Sequence, residues 1–197
     1  MKLLPLALAA LGFAALSGCV APVGPVQVTR FHAVDTAPLG KGSIAVEPAP
    51  GSDGKSLEWQ TYQIAVQRQL ALLGYGEAAP GQGSQIAQLR LSRTVSDPVR
   101  REGPVSVGLG GSTGSYGSGL GIGLGFNLGG KPAQQVQTEL GVMIRDRATG
   151  QTLWEGRASF AVDSRSPLAS TDLAAAKMAE ALFKGFPGQS GETIEVK

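Results

Sequence analysis

Cysteine and histidine each occur once in this sequence, as Cys19 and His32. A single thiol excludes an intrachain disulfide, and one histidine beside one cysteine excludes the paired-ligand spacings that hold zinc. Charge is sparse, at 16% of residues, with a formal net of +2. The densest basic group, Arg90, Arg93, Arg100 and Arg101, is too thin for the cationic footprint that nucleic acid requires, so no nucleic-acid partner is expected. The apolar stretch at residues 3–16 is interrupted by Pro5 and Gly12. It falls short of the roughly 20 residues that a membrane-spanning helix needs.

That stretch has another use. Met1 and Lys2 give a charged start, the apolar segment follows, and Leu16-Ser17-Gly18-Cys19 closes it with small residues before the only thiol. This resembles the bacterial lipobox, which implies cleavage between Gly18 and Cys19 and acylation of Cys19 by diacylglycerol and a fatty acid such as palmitate. Two acyl chains already hold a protein stably on a bilayer. Val20 follows where an aspartate would suggest retention at the inner membrane, so the resemblance implies the periplasmic face of a Gram-negative outer membrane. Residues 1–18 are then the signal peptide, and 19–25, with Pro22 and Pro25, an extended lipidated tether.

From Val26 onward the periodicities predict an α+β domain over 26–188. Val26, Val28 and, less regularly, Phe31 alternate in a first strand at 26–33, and Ile44 and Val46 mark a second. Ser56 is an N-cap with Glu58 in the first turn, and Trp59, Tyr62, Val66, Leu70 and Leu73 fall on one face of a helix at 57–73, closed by Gly74. Ala87, Leu89, Leu91 and Val95 alternate with polar residues. Val136 to Ile144 and Trp154 to Val162 do the same on either side of an Asp146–Gly150 turn, as an antiparallel hairpin. Ser170 or Thr171 caps a last helix that presents Ala175, Met178, Leu182 and Phe186, before Gly185 and Pro187 end it. One-sided strands with two amphipathic helices predict a two-layer sandwich, a mostly antiparallel sheet covered on its apolar face by both helices. Residues 189–197 read as a polar C-terminal tail.

Residues 103–130 change composition abruptly, alternating Val, Leu, Ile and Phe with Gly and Ser. Two readings stay open: a loose insertion, since glycine carries the largest backbone-entropy cost, or a hairpin with every apolar side chain on one face. Apparent catalytic motifs fail on context. Gly110-Gly111-Ser112-Thr113-Gly114 matches a hydrolase elbow, but no helix signal follows and the only histidine lies upstream. Gly125 to Lys131 spells most of a phosphate loop, but Pro132 stands where the magnesium-binding hydroxyl belongs. His32 reads as an exposed strand residue, Trp59 and Trp154 as core, and Asp146 as a turn residue rather than half of a carboxylate pair with Asp163. No cofactor, metal ligand or catalytic residue is expected.

Leu72-Leu73-Gly74-Tyr75, Val142-Met143-Ile144-Arg145-Asp146, Thr149-Gly150-Gln151-Thr152-Leu153-Trp154-Glu155-Gly156 and the terminal Phe186-Pro187, together with the lipobox, resemble the bacterial lipoproteins of domain-of-unknown-function family 4136. The resemblance implies a compact α/β domain on a lipid tether, with a glycine-rich insertion between strands and no established activity. The expected role is therefore non-enzymatic, structural or in assembly, through an envelope protein partner and the membrane held by the lipid on Cys19. The alternative is a module that binds a small apolar ligand or lipid between sheet and helices, and an enzyme using only carboxylates and hydroxyls ranks last.

Overall fold

The computed structural model describes residues 24–96, 105–112, 119–126 and 134–197. Strands β1 (Val26–His32), β2 (Ser43–Pro48), β3 (Gly76–Glu77), β4 (Gln85–Ser96), β7 (Gln135–Asp146), β8 (Thr152–Asp163) and β9 (Thr193–Val196) form one seven-stranded sheet in the order β3-β2-β4-β7-β8-β1-β9. A separate ribbon pairs β5 (Val105–Ser112) with β6 (Gly119–Phe126). Helices α1 (Leu57–Leu72) and α2 (Thr171–Phe183) pack on one face of the large sheet. The fold is the expected α+β arrangement. Its sheet is mixed, because β2 runs parallel to both β3 and β4 while the remaining pairs are antiparallel.

The local signals act where the sequence places them. Ser56 accepts a hydrogen bond from the Trp59 amide, which satisfies one of the free donors at the start of α1. At the other end the Tyr75 amide reaches the Leu70 carbonyl and the Gly74 amide the Ala71 carbonyl, with Gly74 at φ +99°. That pair of bonds is the Schellman closure, and a left-handed residue there favours glycine. Trp59, Tyr62, Val66 and Leu70 are buried against Leu89, Leu140, Val142 and Ile144, and Ala175, Met178 and Leu182 of α2 complete the layer. The Asp146 carboxylate accepts from both the amide and the hydroxyl of Thr149, so the β7–β8 turn is fixed by its own side chain.

Three details depart from the sequence reading. On β1 it is Arg30, 2% exposed, that follows Val26 and Val28 inward, and Phe31 that points out at 52%. Strict alternation therefore wins over residue type, and Arg30 lays its Cδ and its guanidinium over Gly188, head as well as stem buried. Phe186 lies beyond the end of α2, in an aromatic cluster with Trp154 and Phe183 at centroid distances of 5.2 and 5.9 Å. Residues 189–197 are not simply a tail, for β9 pairs Thr193–Val196 with β1 and forms one edge of the sheet. Its short run of Ile194 and Val196 among Glu192, Glu195 and Lys197 hides this, since four residues give little periodicity.

The registers define two ends of the sheet. Asp163 is level with Gln135, and Gln135 with Ser96, at a near end; β1 starts toward that end but short of it, Gln27 standing opposite Ser159, four residues before Asp163. His32, Gln85, Asp146 and Thr152 share the far end. Val26 pairs with Val196 toward the near end, and the chain between Ser96 and Gln135, which contains β5 and β6, departs from that same end.

Candidate functional site

Gly18 and Cys19, the expected cleavage and lipidation positions, lie outside the described residues, as do Arg100 and Arg101. The described part of the molecule offers open surface depressions and a set of arginine anchors. The first depression, about 550 Å³, lies between the 50–56 loop and β4 and is lined by Asp53, Glu58, Arg90 and Arg93 among others. The second, about 520 Å³, lies on the sheet face away from the helices, around Gly141, with Gln88, Arg90, Met143, Glu155 and Arg157 about it. Gly141 stands between Arg90 and Arg157 in the register, and having no side chain it leaves the floor low.

Three of the described arginines, Arg93, Arg145 and Arg147, hold the fold. Arg93 donates through Nη1 to Glu58 Oε1 at 2.9 Å and to the Thr171 hydroxyl at 3.0 Å, and through Nη2 to the Ala169 carbonyl. One side chain on β4 thus fixes the first turns of both helices. Arg147 reaches Glu47 at 2.7 Å and the carbonyls of Gln82 and Gly83, so it clamps the far end. Arg145 closes on the Gly150 carbonyl within its own turn. Arg157 lies between Glu139 at 3.7 Å and Glu155 at 3.2 Å, all well exposed, an arrangement worth little energetically. Sequence reading missed the Arg93 and Arg147 anchors, because nothing local marks an arginine whose partners sit dozens of residues away.

Titration behaviour follows the same geometry. Burial pushes the Glu47 carboxyl up, but the Arg147 guanidinium and the Gly81 amide outweigh it and hold it below the usual carboxylate range. The Thr149 amide and hydroxyl lower Asp146, and Arg165 lowers Asp163. Burial raises the Tyr62 phenol to about 12. A carboxylate lowered in the folded state stabilises the fold above its unfolded pKa, and that contribution disappears as pH falls through the folded value. Glu47→Gln should therefore lower the melting temperature at pH 7, with the gap to wild type closing below about pH 4. Paired thermal melts across pH check this; a constant gap would show that Arg147 does not read the charge of Glu47.

The positions weighed as chemistry do not assemble. Asp163 stands opposite Gln135, at the other end of β7 from Asp146. A 12-residue strand holds them roughly 36 Å apart, too far to share a proton. Ser112 ends β5 opposite Gly119, on a ribbon rather than at a strand-to-helix elbow. His32 is half-buried rather than exposed. Its ring Nδ1 lies 2.7 Å from the Ala33 carbonyl, and its amide donates to Ser190 Oγ. Trp59 and Trp154 are buried, at 5% and 0% exposure. Among the described residues no three potential metal ligands cluster, and no helix is long and apolar enough to cross a membrane.

Comparison with known proteins places this architecture. Uncharacterized protein ZMO1243 of Zymomonas mobilis is 28% identical over 220 residues, which cover 88% of this chain and 80% of that protein. A PDZ domain protein from Parabacteroides distasonis shares the fold at a TM-score of 0.53 and 12% identity. The match covers 94% of this chain, which spans only 41% of that longer one. A PelC dodecamer from Paraburkholderia phytofirmans matches at a TM-score of 0.44 and 11% identity, over 84% of this chain and 99% of its own. The family model described as Domain of unknown function (DUF4136) matches residues 31–188, from β1 through the turn after α2. The chain belongs to the DUF4136 family.

Proposed function

We propose that this chain is a non-enzymatic lipoprotein of the Gram-negative envelope. It is acylated on Cys19, held on the periplasmic face of the outer membrane, and acts there in structure or assembly through protein contacts. The observation that carries the reading is the leader ending in Leu16-Ser17-Gly18-Cys19 with the only thiol at its close. Six residues lie between Cys19 and Val26, giving a reach of at most about 25 Å. The sheet would then stay within a few strand widths of the bilayer. A non-catalytic role is supported by the engagement of Arg93, Arg145, Arg147, Glu47, Asp146 and Asp163 in caps, turns and clamps. The outer sheet face, with exposed Arg90 and Phe31 beside the Gly141 depression, is the surface offered to a protein partner.

The ligand-binding alternative gains no support from the packing. Tyr62, Leu70, Leu89, Leu140, Met178 and Leu182 fill the space between the layers, and the depressions are on the surface.

Cys19→Ala tests the anchor. In cells fed an alkyne palmitate, the native chain should take up label and fractionate with membranes. The Cys19→Ala chain should remain unlabelled and keep its leader. A mature native chain carrying a free thiol at Cys19 would sink the reading. Cross-linking in intact cells, compared with a free-lipid control, then tests for the protein partner.

A further inference from the structure

The β5–β6 ribbon is the least explained part of the molecule. Its register pairs Val107 with Leu124 and Leu109 with Ile122, while Gly108 pairs with Gly123 and Gly110 with Gly121. Residues opposite each other in an antiparallel pair share a face, so the register puts Val, Leu, Ile and Phe126 with Gly111 on one face, and glycines with Ser106 and Ser112 on the other. No charged residue occurs between Glu102 and Lys131, and Arg100, Arg101 and Lys131 flank the uncharged run in sequence. Topology adds an independent observation. The ribbon leaves the sheet at the near end, through Ser96 and Gln135, and the tether to Cys19 enters toward that same end through Val26.

We propose that the ribbon docks on the surface of a lipid bilayer, with its apolar face in the acyl boundary and its glycine face toward water. The orientation rests on the lipid-anchored reading above, which puts the near end against the membrane. Chemistry favours lipid over a protein partner. The apolar face carries no hydrogen-bonding side chain to give a protein contact direction, whereas a bilayer needs none. Basic residues on either side of the run suit anionic headgroups. Dimensions favour lying over crossing. Strands of 8 residues extend about 27 Å, and at the usual tilt of about 45° they would cover only some 19 Å of a hydrocarbon core about 30 Å thick. Crossing would also leave both outer edges of a two-stranded ribbon unpaired in hydrocarbon, which no lone hairpin tolerates.

The test uses the full chain with Cys19→Ser, so that acylation plays no part, on vesicles of phosphatidylethanolamine and phosphatidylglycerol. Single cysteines are introduced as Leu109→Cys, Ile122→Cys or Leu124→Cys, and as Gly110→Cys, Gly121→Cys or Gly123→Cys, each labelled with a small fluorophore. Nitroxide lipids labelled near the headgroup should quench the first set at least about threefold more than the second. Whatever else holds the chain on the vesicle, the uncleaved leader included, cannot impose a period of two along a strand. Ile122→Glu added to Leu124→Cys should leave the melting temperature unchanged and abolish quenching, which separates docking from folding. Equal quenching of both sets, or none in either, overturns the proposal. Stronger quenching by nitroxides at the chain ends overturns it in favour of crossing. The mass of the native amino terminus reports on Cys19 separately, so failure of the anchor and failure of the ribbon are distinct results.

Discussion

Trp154→Ala should cost about 3–5 kcal/mol, among the largest losses any single truncation in this domain can produce. The indole is fully buried, stacks on Phe183 at 5.4 Å and donates to the Pro187 carbonyl at 3.0 Å. It reaches those partners by lying along its own strand over Gly156. A Cβ built at 156 would sit 2.1 Å from Cη2 of the indole, closer than any real contact. Gly156→Ala should therefore cost about 1–3 kcal/mol, because the ring must leave its slot. The two losses should not add. Once Trp154 is alanine, Gly156→Ala should be neutral or stabilising by about 0.5–1 kcal/mol, the ordinary gain from removing glycine from a strand. A double-mutant cycle by urea denaturation gives the answer. Additivity to within about 0.5 kcal/mol would show that the glycine is not there for the tryptophan.

Deleting residues 189–197 should lower stability by at least about 4 kcal/mol, although the sequence there looks dispensable. The loss has two parts. The β1–β9 ladder goes, with the flanking bonds from the Arg30 amide to Glu192 and from the Gly191 amide to Arg30, at about 1 kcal/mol each net. Burial of Val196, 7% exposed, goes as well, at about 1.5 kcal/mol or more. For a domain of this size that corresponds to a fall of roughly 10 °C in melting temperature. Deletion without a measurable shift would show that β9 is not held against β1 in solution.

These two cases mark where sequence reading succeeds and where it stops. The caps and long strands were legible because their signals are local. Ser56 and Gly74 act on backbone within one turn, and alternation from Val136 to Ile144 needs no distant partner. Trp154 was legible as core, but its claim on Gly156 was not, since a ring lying along a strand leaves no periodic trace. β9 was illegible for another reason. It is four residues long and has meaning only beside β1, far away in the chain. Arg30 misled by type, being charged at a position that alternation sends inward. Of the candidate site, the residues before Gly24 could be read only as a pattern, whereas the Arg93 and Arg147 clamps required the fold before their partners could be named.

The pairing of Val26 with Val196 has a practical corollary. Both strands that carry the ends of the domain arrive side by side, so whatever follows Val196 begins next to the chain that leads into Val26. A fluorescent reporter or affinity tag fused there would crowd the segment that leads into β1 and, on the lipid-anchored proposal, would face the membrane. Inserted instead in the Thr149–Gly150 loop at the opposite pole, the same cargo would project freely into the surrounding compartment.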